Sequence, residues 1–218
     1  MPKRQIKHEI GIVVLCGGES SRMGIDKWQL PVGESTLLDH LLGQMEPHDG
    51  TVLSQGSSRP VSCSSSKVEV VEDQIPESGP LEGIRCGLKH LSNRFEFAFV
   101  TACDIPWFRP TVVEFLLQQI ENHQAVIPVV EDRVYGMTAV YRTDIHPKLT
   151  EMVMAQQLKV SLLASELRTN RISKQQLQSV DPQLDSLKNI NGPEDYLAYL
   201  KELGLSCPDE IAERLNRS

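Results

Sequence analysis

The sequence predicts an α/β fold: a mainly parallel, twisted sheet with helices on both faces. Strand-like apolar runs alternate with segments of helical periodicity along most of the chain, the pattern of crossover connections between parallel strands. The run at residues 10–15 is continuously apolar, as a strand covered on both faces must be. The polar clusters fall where such runs end, and that is where open α/β sheets bind ligands.

The elements follow in order. After the strand at 10–15, residues 35–45 set Leu37, Leu38, Leu41, Leu42 and Met45 at helical spacing, with Glu34 or Ser35 near the start. Residues 50–54 are a short strand, the serine-rich 56–66 a loop, and 68–71 another strand. Pro80 opens a helix to about residue 91 on Leu81, Ile84, Leu88 and Leu91; in a first turn its missing N–H has no partner to lose. Residues 95–102 are the most apolar strand of the middle, 110–120 a helix, and 125–130 and 134–141 strands. Residues 147–167 read as mostly helical with a break near Lys159, and 194–203 as a terminal helix that 210–214 extend. The whole reads as a single domain over 1–218, with a flexible stretch at 1–9 and a C-terminal helical extension from about 201.

Composition narrows the function. A chain of 218 residues buries a substantial core without staples. The net charge of −7 gives no general attraction for nucleic acid, so any anion site must be local. Five cysteines without a C-x-x-C pair argue against a disulfide framework or a zinc site and suit a reducing cytoplasm. No apolar run approaches the ~18 residues of a membrane span, and the charged N-terminus lacks the apolar core of a signal peptide.

Four clusters carry the chemistry. In Val14-Leu15-Cys16-Gly17-Gly18-Glu19-Ser20-Ser21-Arg22-Met23-Gly24-Ile25-Asp26-Lys27 an apolar strand breaks into glycines, hydroxyls and two cations. Glycines let backbone N–H groups close on oxygen as an anion nest, and Arg22 and Lys27 supply the charge a triphosphate needs. Neither G-x-x-x-x-G-K-[ST] nor G-x-G-x-x-G is present, so this is neither a P-loop nor a dinucleotide fingerprint. In Thr101-Ala102-Cys103-Asp104-Ile105-Pro106 the acid at a strand exit either caps a turn before Pro106 or holds a divalent cation, which needs one or two carboxylates. In Ser78-Gly79-Pro80-Leu81-Glu82-Gly83-Ile84-Arg85-Cys86-Gly87-Leu88 the glycines either keep a helix entrance slim for a base or ribose or let helix and sheet close up. Asn189-Ile190-Asn191-Gly192-Pro193-Glu194-Asp195 is a helix start with two alternating asparagines, which in an extended segment face one side.

With these motifs in order over about residues 10–200, the sequence resembles the molybdenum cofactor guanylyltransferases, members of the wider nucleotidyltransferase family. Their signatures are L-A-G-G-x-S-x-R-M-G-x-D-K, C-D-x-P, G-P-L-x-G-[IM]-x-x-[AG]-L and N-x-N-T-P-E-D. The resemblance implies a three-layer, Rossmann-like nucleotide-diphospho-sugar transferase fold. It implies transfer of a guanylyl group from GTP to the terminal phosphate of molybdopterin, releasing pyrophosphate. It assigns catalysis to Arg22, Lys27 and Asp104, with Mg²⁺ on Asp104. Nucleotide contacts go to Leu15, Cys16, Gly17, Gly18, Arg22, Lys27, Asp73, Gly79 and Asp104, and pterin-side contacts to Asn189 and Asn191. Asp73 matches the acid of the family's V-x-E-D segment, although a solvated turn carboxylate explains it equally. The implied partners are small molecules, together with molybdoenzyme maturation proteins, for a monomer or weak oligomer. Departures are Cys16 for Ala, Ser54 for a frequent Asn, Gly136-Met137 for His-Pro, and Gly192 for Thr. Cytidylyl transfer to molybdopterin, nucleotidyl transfer to another small phosphate, and a catalytically silent nucleotide-binding partner are the alternatives. Gly17, where the cytidylyl relatives tend to carry Ala, favours the larger purine.

Overall fold

The computed structural model describes residues 10–17, 25–45, 50–56 and 60–215. Its strands are β1 (Ile10–Cys16), β2 (Pro31–Val32), β3 (Ser35–Thr36), β4 (Thr51–Gln55), β5 (Val68–Glu72), β6 (Phe97–Ala102), β7 (Ala125–Val130), β8 (Arg133–Val134), β9 (Ala139–Arg142) and β10 (Thr169–Ile172). The helices are α1 (Leu37–Met45), α2 (Gly79–Leu91), α3 (Pro110–Gln118), α4 (His146–Met154), α5 (Leu163–Glu166), α6 (Lys174–Gln178), α7 (Pro193–Glu202) and α8 (Asp209–Leu215).

The main sheet runs β10-β7-β9-β6-β1-β4-β5, with β8 paired to β7, while β2 and β3 form a separate hairpin. β1 pairs parallel with both β4 and β6; β9 lies antiparallel between β6 and β7. The chain builds outward from β1 through β4 to β5, then returns through α2 to β6 on the other side. β1 is therefore where the winding reverses, and the crevice beyond its carboxyl end is the place such sheets use for ligands.

All seven residues of β1 are buried. Val13 and Leu15 face one layer, built from α2, α4 and α5. Ile12, Val14 and Cys16 face α1, and Ile10 packs with residues of α3 and α6 on that same side. This two-sided cover is what the uninterrupted apolar run demands, and the mainly parallel sheet with helices on both faces is as expected. A fourth cluster joins Leu30, Val32 and Leu37 to Ile190, Tyr196, Leu200, Ile211 and Leu215, so α7 and α8 close over the β2–β3 hairpin. No helix among the described residues is long and apolar enough to cross a membrane.

Three expectations are corrected. Residues 134–141 are not one strand: Thr138 N–H donates to the Tyr135 carbonyl (3.0 Å), turning the chain between β8 and β9. Residues 210–214 do not extend the terminal helix. The chain turns at Gly204 (φ +70°), and α8 is a separate element. β10 and α6 have no counterpart among the expected elements, because β10 buries only Ile172 and offers no periodicity to read. Yet α6 carries a legible start, a capping box in which Ser173 accepts from Gln176 N–H and the Gln176 side chain returns to Ser173 N–H.

Candidate active site

Two strand ends build the centre of the site. Cys103 N–H donates to the Leu15 carbonyl (3.0 Å), carrying the β1–β6 ladder one residue past β6. Ile105 N–H then bonds the Ala102 carbonyl (3.0 Å), and this turn brings Asp104 out beside the mouth of β1. Across that mouth Lys27 begins a short 3₁₀ turn, Lys27–Gln29. Its Nζ lies 2.8 Å from Asp104 Oδ2, with the two side chains 22% and 19% exposed. The structure thus joins two motifs 77 residues apart into one charge pair at the switch strand.

Other expected residues fall at this mouth with different parts to play. Leu15 and Cys16 are 6% and 5% exposed, so neither side chain opens on the crevice. Burial and the neighbouring Cys103 push the Cys16 thiol well above its ordinary value, which leaves it unreactive. Gly17 is exposed, and a Cβ there would sit 3.4 Å from Gly56 N, in ordinary contact. Gly18 and Arg22 lie outside the described residues.

Asp73 stands at the exit of β5, one strand beyond β4. Its N–H continues the ladder to the Gln55 carbonyl (2.9 Å), and its Oδ1 accepts from Ser54 Oγ (3.2 Å). Ser54, the residue that departs from the family pattern, therefore holds Asp73. Burial, with the nearby Glu82 charge adding to it, raises the Asp73 carboxyl to about 6, while the Ser54 bond and Arg85 oppose the rise. A carboxyl raised in the folded state favours folding while protonated. That contribution is complete below its unfolded value and is lost as pH climbs through about 6. Asp73→Asn should therefore be more stable than the parent chain at pH 7.5, with the gap closing toward pH 4.5, as urea unfolding at the two pH values would measure. Equal gaps at both would contradict it.

Gly79 begins α2 at φ +64°, a backbone state that β-carbon sterics disfavour, while nothing lies within 4 Å of its would-be Cβ. It serves the turn and not close packing. Gly83 is different: a Cβ there would lie 2.9 Å from Leu15 Cδ2 and 3.0 Å from Ser54 Oγ, so its absence lets α2 settle on β1 and β4.

Sequence reasoning missed Glu82 and Arg85 on α2, which are 0% and 4% exposed. Arg85 forks onto Glu82 with Nε–Oε2 and Nη2–Oε1 both at 2.7 Å. Burial alone would raise the Glu82 carboxyl, but the Arg85 fork, the Cys86 thiol and the Ile75 N–H together outweigh it and hold the acid below its usual range. The only local signal is the i,i+3 spacing of opposite charges, which pairs Glu82 with Arg85 but does not mark them as buried.

Asn189 and Asn191 flank Ile190, whose side chain is fully buried against Leu30 and Tyr196. The two asparagines line one groove of about 350 Å³ with Trp107, Arg133 and Lys188, as their alternation predicts. Ile190 N–H donates to the Asp104 carbonyl (2.8 Å), tying this segment to the central turn. Asp195 Oδ2 accepts the N–H groups of Asn191 (2.8 Å) and Gly192 (3.1 Å), so the cap of α7 survives without a hydroxyl at 192. At the other departure, the Gly136 carbonyl accepts Tyr141 Oη–H (2.8 Å) and its would-be Cβ lies 2.4 Å from Val160 Cγ1. A histidine there has no room unless Val160 moves.

A lysine and an acid paired at the end of the switch strand, in a chain without a P-loop, fit the Rossmann-like nucleotidyltransferases. A family model, the MobA-like NTP transferase domain, matches residues 12–178, and the chain belongs to that family. It is similar to the "Probable molybdenum cofactor guanylyltransferase" of Carboxydothermus hydrogenoformans, 27% identical over 89% of this chain and 96% of that protein. The protein of the same name from Mycobacterium marinum is 34% identical over 73% of this chain and 81% of its own length. Among solved structures, molybdopterin-guanine dinucleotide biosynthesis protein A of Archaeoglobus fulgidus superposes with a TM-score of 0.73 at 24% identity. That match covers 89% of this chain and 98% of that one, and it shows a shared fold.

Proposed function

We propose that this chain transfers GMP from GTP to the terminal phosphate of molybdopterin, giving the guanine dinucleotide form of the cofactor and pyrophosphate. The observation that carries the reading is the 2.8 Å contact between Lys27 and Asp104 at the end of the switch strand. The names of the curated relatives support it.

The acceptor phosphate is already ionised near neutral pH, so no strong general base is needed. The barrier lies in bringing two anions together and in the charge that builds on the pentavalent phosphorus. Lys27, with Arg22 as its partner cation, lowers that charge. Asp73 and the glycine loop hold the nucleotide, Asn189 and Asn191 the acceptor, and this positioning supplies much of the remainder.

The donor set suits a divalent ion that completes its shell with phosphate oxygens and water. Asp104 presents one carboxylate, its Oδ1 has no partner among the described residues, and no group of three or more His, Cys, Asp or Glu among them could hold a metal alone. Mg²⁺ held there would neutralise phosphate charge. Lys27 is the counter-ion of Asp104, with its Nζ 2.8 Å from Asp104 Oδ2.

The functional unit extends past the matched segment as a single domain, since Tyr196, Leu200 and Ile211 share one cluster with Leu30 and Val32. The working location is the cytoplasm, where the acceptor is made and thiols stay reduced, and delivery goes to molybdoenzyme maturation proteins. The direct test incubates the protein with Mg²⁺, purified molybdopterin and each nucleoside triphosphate in turn, and measures pyrophosphate. Release with GTP alone is expected. Release with CTP alone would move the chain to the cytidylyl class, and nucleotide binding without release would make it a silent binding partner.

A further inference from the structure

The loop between β5 and α2 is held by an arrangement that the reaction, as described, does not use. Gln74 and Ile75 immediately follow Asp73, and both donate their N–H groups to Glu82 Oε1, each at 3.0 Å. Arg85 forks onto the same carboxylate and sends Nη2 on to the Gln74 side-chain oxygen (3.1 Å). The loop is thus gripped by two backbone bonds and one side-chain bond, from an ion pair lying under the first turns of α2.

Such a grip is not needed for stability. A buried ion pair roughly breaks even against apolar groups of the same volume, because desolvating two charges offsets their attraction. What it provides is geometry. A turn of hydrophobic residues could cover this end of α2, but it would leave two adjacent N–H groups without fixed acceptors and the preceding residue free to rotate. Ser54 Oγ holds one oxygen of Asp73, and the Glu82 bonds hold the backbone of the next two residues, so the Asp73 carboxylate is constrained from both sides.

We propose that Glu82 and Arg85 are positioning residues for the nucleotide: their buried fork locks the loop after β5 so that Asp73 meets GTP already oriented. This rests on the reading of Asp73 as a nucleotide contact. Neither residue touches the nucleotide, and both act through Asp73.

The test is a cycle on equilibrium GTP affinity with Mg²⁺ present, measured by calorimetry and so independent of turnover. It compares the parent chain, Asp73→Asn, the double variant Glu82→Met/Arg85→Met, and the triple combination. Replacing both partners together avoids stranding one buried charge, so the double variant should keep its thermal midpoint within a few degrees. Asp73→Asn and the double variant should each weaken GTP binding ~10-fold, and the triple should be no weaker than the double, because coupled residues are not additive. The acceptor KM should stay at the parent value, which a general loss of structure would not allow. Arg85→Lys, which keeps the charge and opens the fork, should weaken GTP binding in the same direction by a smaller factor; it decides the matter if the double variant does not fold. Parent-like GTP affinity in the double variant or in Arg85→Lys overturns the proposal. Full additivity in the triple overturns it while leaving Asp73 as a nucleotide contact. Parent-like affinity in Asp73→Asn removes both.

Discussion

Asp104→Ala is expected to lower turnover ~10²–10³-fold while the protein stays folded, and Lys27→Ala to do the same, by analogy with loss of one contact to a charged transition state. Two magnitudes separate this from a stability effect. A partly exposed ion pair such as Lys27–Asp104 adds ~0–1 kcal/mol to folding. A preorganised charge aimed at a reacting phosphate is worth ~2.7–4 kcal/mol in the transition state. Turnover should therefore collapse while the thermal midpoint barely moves. The double variant Asp104→Ala/Lys27→Ala should fall little below either single one, since groups that act as a unit lose their whole effect once either is gone. Steady-state pyrophosphate release alongside a melting curve reads both quantities. Near-parent turnover in either single variant would remove the pair from catalysis.

Much of this site is legible in the amino-acid sequence because its residues obey rules that act locally. The run of β1 has to be buried on both faces, so its end has to open into a crevice. Alternation in an extended segment places Asn189 and Asn191 on one side, and the buried Ile190 between them pins that alternation. Asp104 and Lys27 each stand out alone, but their meeting depends on the order of strands across the sheet. That order comes from long-range pairing that no single segment encodes, and here it puts β6 beside β1.

What is not legible is equally physical. Glu82 and Arg85 read as the polar side of an amphipathic helix, because periodicity counts apolar positions and cannot see that α2 is covered nearly all round in its first turns. β10 escapes because Thr169-Asn170-Arg171-Ile172 has one buried side chain at a sheet edge, where the partner strand and not the sequence decides. Ser54 reads only as a departure from a frequent asparagine, whereas its hydroxyl meets the acid at a neighbouring strand's end. A substitution that removes one interaction can supply another, and only the register of β4 against β5 reveals which.

The Ser54 hydroxyl also lies under α2, against Gly83, and Gly87 one turn further on sets how closely that helix approaches the sheet. Gly87→Ala should destabilise the protein by about 2 kcal/mol and lower its thermal midpoint by roughly 4–8 °C, the range expected for a domain of this size. A Cβ at this position would lie 2.5 Å and 2.8 Å from the two methyls of Val13 and 3.2 Å from its Cβ. Val13 cannot yield. Its β-branched side chain is stiff about χ1, rotation exchanges one methyl for another, and its backbone is paired on both sides, to Val52 and to Val100. The helix must lift instead, taking Gly83 off Leu15 and Ser54 and loosening the seat of Asp73. Gly43→Ala in α1 is the matched control, because nothing lies within 4 Å of its would-be Cβ and its surface is exposed. There alanine removes the conformational freedom of an unfolded glycine and should stabilise by ~0.5–1 kcal/mol. One chemical change, made in two helices, should thus shift the melting temperature in opposite directions. If Gly87→Ala melted at or above the parent temperature, the close contact between α2 and β1 would not be the constraint that holds the nucleotide side of the site in place.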